Sequence, residues 1–161
     1  MEISKLIGSS SVLLQFEAKN KAEALRKLAE KFCEVHPSVS YKALHSALMQ
    51  REALGSTALG NGVAIPHAKS EEINKSEGLL VVSKGGIDFH ALDGELVHVF
   101  FLMVYPQNPV GVHLLVLASL ARLLRDDFVV RLIRRAEKPG QVVKIISEQE
   151  TRIADLAGSR V

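Results

Sequence analysis

The chain has 161 residues, enough for one domain with a sizeable core. Hydrophobic residues make up 47% and charged residues 24%, which excludes a disordered chain. The net charge is only +2, acids are interspersed with bases, Trp is absent and aromatics are 5%, so the basic stripe with nearby aromatics expected of a nucleic-acid binder is missing.

The N-terminal run MEISKLIGSS carries too short an apolar stretch for a signal peptide. Val12 to Phe16 reads as a first strand. Asn20, with Glu23 three residues on, resembles a capping box, and a helix then runs to about Val35 with Ala24, Leu25, Leu28, Ala29 and Phe32 on one face. Cys33 lies in that helical pattern; a single cysteine leaves no internal disulfide, fits a reducing compartment and reads as a buried, inert thiol. Pro37 breaks the helix. Ser40 caps a second one, with Leu44, Ala47 and Leu48 spaced for burial and Arg51 near its end.

Residues 55 to 62, GSTALGNG, have three glycines and no hydrophobic period, and read as a loop. Val63 to Ile65 is a short strand that stops at Pro66, with His67 directly after. Leu79 to Ser83 is a further strand, ahead of the turn signal Gly85-Gly86. Val97 to Tyr105 is almost continuously apolar, as a central strand buried on both faces would be. Its apolar stretch, Val99 to Val104, is the longest in the chain and falls far short of the ~20 residues of a membrane span. Asn108 and Pro109 stand at N-cap and N1 positions of a helix with Leu114, Leu117, Leu120, Ala121 and Leu124 at core spacing. Helical segments follow around Phe128 to Ala136, where Arg131, Arg134 and Arg135 form a wet face, and around Gly140 to Ser147. Thr151 to Val161 reads as a frayed tail. The order predicts a cytoplasmic α/β protein over residues 1 to 161, a single-domain sandwich with a small mixed β-sheet flanked by helices.

Three chemistries compete for the glycine loop and His67. Gly55 to Gly60 has the G-x-x-x-x-G spacing of a P-loop, but Asn61 and Gly62 stand where Lys and Ser or Thr would hold phosphate and Mg²⁺, and the loop follows a helix rather than a strand. A nucleotide site is therefore rejected. Histidines at 36, 45, 67, 90, 98 and 113 offer metal ligands, yet no H-E-x-x-H or Cys/His pair gives a metal site positive support. His36, His45 and His90 read as solvated, and His98 as a hydrogen-bonded histidine of a buried strand. A nucleophilic His67 explains more. A neutral imidazole, with a reference pKa of about 6.5, keeps a lone pair on one nitrogen near pH 7. If the other N–H is tied to a carbonyl, the free nitrogen is aimed. A phosphoryl group there needs donors and positive charge, which Arg51, the Ser56 and Thr57 hydroxyls and the loop N–H groups, Gly60 and Gly62 included, can offer. A lone histidine after a strand is ordinarily structural; the adjoining R-E-x-x-G-S-T run and glycine loop favour function.

The run REALGSTALGNGVAIPHA, residues 51 to 68, resembles the active-site signature of enzyme IIA domains of the fructose–mannitol type, from the bacterial phosphoenolpyruvate-dependent phosphotransferase system. The resemblance continues in I-x-F-x-A-x-D (Ile87 to Asp93), V-x-x-x-F-x-x-x-x-P (Val97 to Pro106) and H-L-x-x-L-x-x-L-A (His113 to Ala121), and covers about residues 5 to 150. Within the family it is most like the stand-alone nitrogen-regulatory branch. The resemblance implies that His67 accepts phosphate from a histidine-containing phosphocarrier protein, with Arg51 and His113 in the same site stabilising the phosphoryl group. It implies an α/β sandwich in which no nucleotide, cofactor or metal is needed, and the short apolar runs point to no membrane insertion. The expected output is a regulatory switch, linked to nitrogen or potassium, through a target such as a sensor kinase or potassium transporter. The alternative is a sugar-transport IIA component passing phosphate to a separate IIB chain. Two departures stand out: Ala58 where family members often have Gly, and Ala68 where Gly commonly follows the histidine. Either methyl group bears on backbone conformation or partner approach, and neither removes a reacting group.

Overall fold

The computed structural model describes residues 2–107 and 111–159. Its strands are β1 (Val12–Leu13), β2 (Ala58–Gly60), β3 (Val63–Ala64), β4 (His67–Lys69), β5 (Glu77–Ile87) and β6 (Val97–Tyr105). Its helices are α1 (Lys21–Val35), α2 (Tyr41–Ala53), α3 (Val112–Leu124), α4 (Asp127–Arg135) and α5 (Pro139–Gly158), and two 3-10 turns, Ile3–Lys5 and Ser9–Ser11, precede β1.

β6 organises the sheet. It runs antiparallel to β5 on one side and parallel to β3 and β4 on the other. β1 adds in parallel outside β5, and β2 adds antiparallel outside β3. Along β6, Val99, Phe101 and Met103 face a layer built by α3, α4 and α5, while Phe100, Leu102 and Val104 face α1 and α2. A strand covered on both sides needs apolar residues at every position, which is why its sequence reads as one unbroken run. Each of these side chains, fully buried, contributes about 1.5–3 kcal/mol relative to exposure.

The feature that builds the site is a break. β3 pairs Val63 with Val99 and Ala64 with Phe100; β4 then pairs His67 with Met103, Ala68 with Val104 and Lys69 with Tyr105. The register is unchanged across the gap, so β3 and β4 are one strand interrupted at Ile65 and Pro66. Pro66 has no N–H for a neighbouring strand. β2 stops alongside β3, and α2 packs along β4 instead.

Several sequence expectations change. The first strand ends at Leu13, not Phe16; beyond it Phe16 N–H still donates to the Val82 carbonyl of β5 (3.0 Å). The glycine loop contains β2, a pairing held by backbone bonds and so invisible to hydrophobic period. Gly85-Gly86 is not a turn that ends a strand. β5 continues to Ile87 through a register shift after Val82, and Gly86 takes φ +77°, where a Cβ would lie 2.8 Å from the His98 ring. The Asn20–Glu23 box is displaced: Asn20 caps Glu23 N–H (2.9 Å), but the Glu23 carboxylate accepts from Lys19 N–H (2.8 Å). Leu114 is exposed, and Val116, Leu120, Leu123 and Leu124 form the buried stripe of α3. The caps expected at Asn108 and Pro109 lie outside the described residues. The tail is helical to Gly158, because Ile153 packs on the core and the Glu150 carboxylate accepts from the N–H groups of Ile3 and Ser4, tying α5 to the first 3-10 turn.

Candidate active site

Ser40 caps α2 by accepting from Ala43 N–H (3.3 Å), and Leu44 and Leu48 form its buried stripe. Arg51, in the last turn, lies beside that stripe at the edge of β4. Its Nε–H donates to His67 Nε2 (3.1 Å), and its Nη1 donates to the Gly55 carbonyl (3.0 Å).

His67 opens β4. Ala68 packs into the α1–α2 layer, so by strand alternation His67 and Lys69 turn toward the α3 side. The His67 Nδ1 lies 2.9 Å from the Ile65 carbonyl. A carbonyl only accepts, so the network assigns the ring proton to Nδ1 and leaves the lone pair on Nε2, which is the atom facing Arg51. Burial is the largest influence on this ring and pushes its pKa below the ordinary 6.5. The Ile65 carbonyl works in the opposite direction; the charges of Arg51 and His113 lower it further, and that of Glu52 raises it. At neutral pH the ring is neutral, its proton fixed and its lone pair aimed.

His113, the second residue of α3, stacks on Tyr105 with ring centroids 4.2 Å apart and planes 2° apart. Tyr105 is the register partner of Lys69, so this stack stands on the same face and end of the sheet as His67. The N-cap of α3 is Gly111, at φ +87°.

Glu52, which the sequence reading passed over, continues the Leu44–Leu48 stripe into the interior and is 7% exposed. Its carboxylate accepts from Thr57 N–H (3.0 Å) and from the Thr57 hydroxyl (2.6 Å), and pairs with Lys21 Nζ (2.8 Å). The signal was present: a carboxylate four residues after Leu48 on a buried stripe must find partners.

The candidate binding residues do not all converge. Ile65 N–H donates to the Thr57 carbonyl, so the register carries Ser56 level with Pro66, next to His67. The Ser56 hydroxyl accepts from Ala58 N–H (3.2 Å). The Thr57 hydroxyl is buried and committed to Glu52, so it anchors the loop rather than facing His67. Gly60 and Gly62 lie at the other end of the interrupted strand, Gly62 five residues before His67, or roughly 16 Å of extended chain away. They form the β2–β3 turn, at φ +88° and +77°, held where Asn61 N–H donates to Asp93 (2.9 Å). Gly55 reaches the site through its carbonyl, which accepts from Arg51 Nη1.

Of the other histidines, His36 and His45 are half-buried and stack on Phe32 and Tyr41 rather than standing free in solvent, and His90 is exposed. His98 is hydrogen-bonded to the Ser83 carbonyl (2.9 Å). Burial pushes the Cys33 thiol up, which favours its unreactive form. Among the described residues no group of three or more His, Cys, Asp or Glu comes together to hold a metal ion, and no helix is long and apolar enough to cross a membrane.

Residues 5–149 match the family described as phosphoenolpyruvate-dependent sugar phosphotransferase system, EIIA 2. A nitrogen regulatory protein from Bradyrhizobium diazoefficiens is 35% identical over 147 residues, 91% of this chain and 95% of that protein. The fructose-specific EIIABC component of Bacillus subtilis is 27% identical over 150 residues, 93% of this chain but only about a quarter (24%) of that longer protein. In structure, the nitrogen regulatory protein IIA-Ntr of Neisseria meningitidis superposes with a TM-score of 0.83 at 28% identity, covering 89% of this chain and 98% of that one. The match over nearly the whole length and the shared fold agree: the chain belongs to the EIIA 2 family of phosphoryl-transfer components of the phosphotransferase system.

Proposed function

We propose that His67 Nε2 accepts a phosphoryl group from a histidine-containing phosphocarrier protein, and that the charge so gained switches which regulatory target the chain binds. The observation that supports this is the pair of bonds on one ring: Nδ1–H to the Ile65 carbonyl, and Nε2 facing the Arg51 Nε–H. The Nε2 lone pair attacks phosphorus, the P–N bond to the donor histidine breaks, and its electron pair returns to the donor ring. The Ile65 carbonyl stabilises the positive charge that bond formation places on the His67 ring. Arg51, whose Nε–H loses its acceptor as the new P–N bond forms, turns that donor to a phosphoryl oxygen. His113, steadied by Tyr105, donates to the same group. The regulatory output rests on likeness: the nitrogen regulatory relatives are matched along nearly their whole length. A phosphate adds close to two negative charges to the face around His67, enough to change partner preference.

Incubation with phosphoenolpyruvate, enzyme I and the phosphocarrier, followed by intact-mass measurement, tests the chemistry. Wild type is expected to gain one acid-labile phosphate and His67→Ala none; a wild-type chain that gains nothing from a matched donor pair overturns the proposal. The match to the fructose-specific component favours a second reading, transfer onward to a separate IIB chain. Adding a fructose IIB protein to the labelled chain distinguishes them: rapid loss of label to IIB supports sugar transport. Pull-downs with wild type, His67→Ala and His67→Glu read the switch, and identical partner sets for all three count against it.

A further inference from the structure

Outside the His67 ring, the buried Glu52 carboxylate belongs to a chain of contacts that links β6, α1, α2 and the glycine loop. Phe100 of β6 meets Phe89 edge to face, with centroids 5.2 Å apart. Lys21, the first residue of α1, sets its Nζ 4.8 Å from the centre of the Phe89 ring and 2.8 Å from the Glu52 carboxylate. Glu52 in turn holds Thr57 through both the backbone N–H and the hydroxyl. Two residues before Thr57, the Gly55 carbonyl accepts from Arg51 Nη1. Adjacent residues of α2 therefore clamp the loop at two points: Glu52 holds Thr57, and Arg51 leans on Gly55 while its Nε–H faces His67.

We propose that Glu52 is a positioning residue for phosphoryl transfer at His67, fixing the loop through Thr57 so that the Gly55 carbonyl aims the Arg51 guanidinium, with Lys21 as the counter-charge that lets the carboxylate stay buried. This rests on His67 being the phosphoryl acceptor. A planar guanidinium has two useful edges; with Nη1 docked on a fixed carbonyl, Nε–H can point in only one direction. If the loop drifts, the guanidinium keeps its charge but loses its aim, and transfer slows without the donor protein binding more weakly. The Lys21 ammonium also neutralises a carboxylate that would otherwise repel an arriving phosphate.

Quenched single-turnover transfer from labelled phosphocarrier, at rising donor concentration, tests this on wild type, Glu52→Gln, Thr57→Val and Thr57→Ser, with the Arg51 Nε–H followed by proton–nitrogen NMR. Glu52→Gln and Thr57→Val are expected to accept label at His67 with a maximal rate lower by about ten- to a hundredfold and an unchanged half-saturating donor concentration. Their Arg51 Nε–H resonance should move to the position of a solvent-exposed arginine, and Thr57→Ser should recover most of the rate lost in Thr57→Val. Folded variants with the wild-type maximal rate and Arg51 resonance overturn the proposal, as does a loss confined to half-saturation. Should Glu52→Gln fail to fold, the Thr57→Val and Thr57→Ser pair decides on the same two readouts. If wild type itself takes no label on His67, the acceptor reading has failed; the Arg51 resonance in the variants still reports whether Glu52 and Thr57 aim the guanidinium.

Discussion

Arg51→Lys isolates geometry from charge. Arg51 uses two nitrogens in two directions, Nε–H toward His67 Nε2 at 3.1 Å and Nη1 toward the Gly55 carbonyl at 3.0 Å. A lysine ammonium can occupy one of those places, not both. The substitution therefore retains the cation and forfeits one charge-assisted hydrogen bond, worth about 1.5–3 kcal/mol. At about 1.4 kcal/mol per factor of ten, phosphoryl transfer should slow by roughly ten- to 150-fold. Arg51→Ala removes both bonds and the charge, and should cost about 10²–10³, as losing a donor to a developing oxyanion does.

The pH dependence separates the two variants. The Arg51 charge helps hold the His67 pKa down, so its removal lets the ring protonate at higher pH and blocks the lone pair. The deficit of Arg51→Ala should therefore widen as pH falls, whereas that of Arg51→Lys should change little. Quenched-flow transfer of labelled phosphate, at about pH 8 where His67 is neutral in every variant, reads the transfer defect alone; the same assay near pH 6 adds the protonation effect. Arg51→Lys and Arg51→Ala both transferring at the wild-type rate at the higher pH would refute the argument and leave Arg51 a helix-end cation worth under ~1 kcal/mol.

His113→Ala should still take label from the phosphocarrier but pass it on poorly, because the charge on the departing group is less well held; stable label on His113 in His67→Ala would reverse the two roles. The lowered His67 pKa also makes a stability prediction. As pH falls, the unfolded ring, titrating near 6.5, takes its proton before the folded one, so the stabilisation present above about pH 6.5 is lost as pH falls through the folded value. Between about pH 7 and pH 5 the urea midpoint of wild type should fall more than that of His67→Gln, and parallel profiles would refute it. Gly78→Ala should destabilise by about 1–3 kcal/mol, because the added Cβ would lie 2.8 Å from the buried Phe101 ring and 3.1 Å from Ile7. A urea midpoint equal to wild type would show that the packing yields.

What the sequence exposed and what it hid follow from which forces act locally. The β6 run, the Ser40 cap and the stripe of α1 are written in side chains that lie near one another along the chain, and they agree with the structure residue by residue. β2 was hidden because its partner contacts are backbone bonds to β3, which leave no hydrophobic period. The bulge in β5 was hidden because a glycine pair signals a left-handed residue without saying whether the strand turns back or continues; here His98, from β6, fills the space that a side chain at Gly86 would need. For the same reason Gly60 and Gly62 looked like part of a phosphate cradle. In the sequence they stand seven and five residues from His67, but the intervening chain is extended, and extension carries them away as surely as a helix would have brought them back.

Glu52 is the instructive omission, because nothing long-range was needed to suspect it. Leu44, Leu48 and Glu52 stand at intervals of four, so whatever buries the two leucines buries the carboxylate as well. An ionised carboxylate in that position is costly unless charge and hydrogen bonds meet it, and a helix interior provides neither from its own backbone. The partners must come from elsewhere: the loop that follows supplies Thr57, and the neighbouring helix supplies Lys21. A charge placed on an apolar stripe thus indicates that other segments converge there, and in this chain the convergence lies one residue from Arg51. Reading the stripe for its polar exception points to the same site as reading the strand for the histidine that follows it, and the two signals are independent.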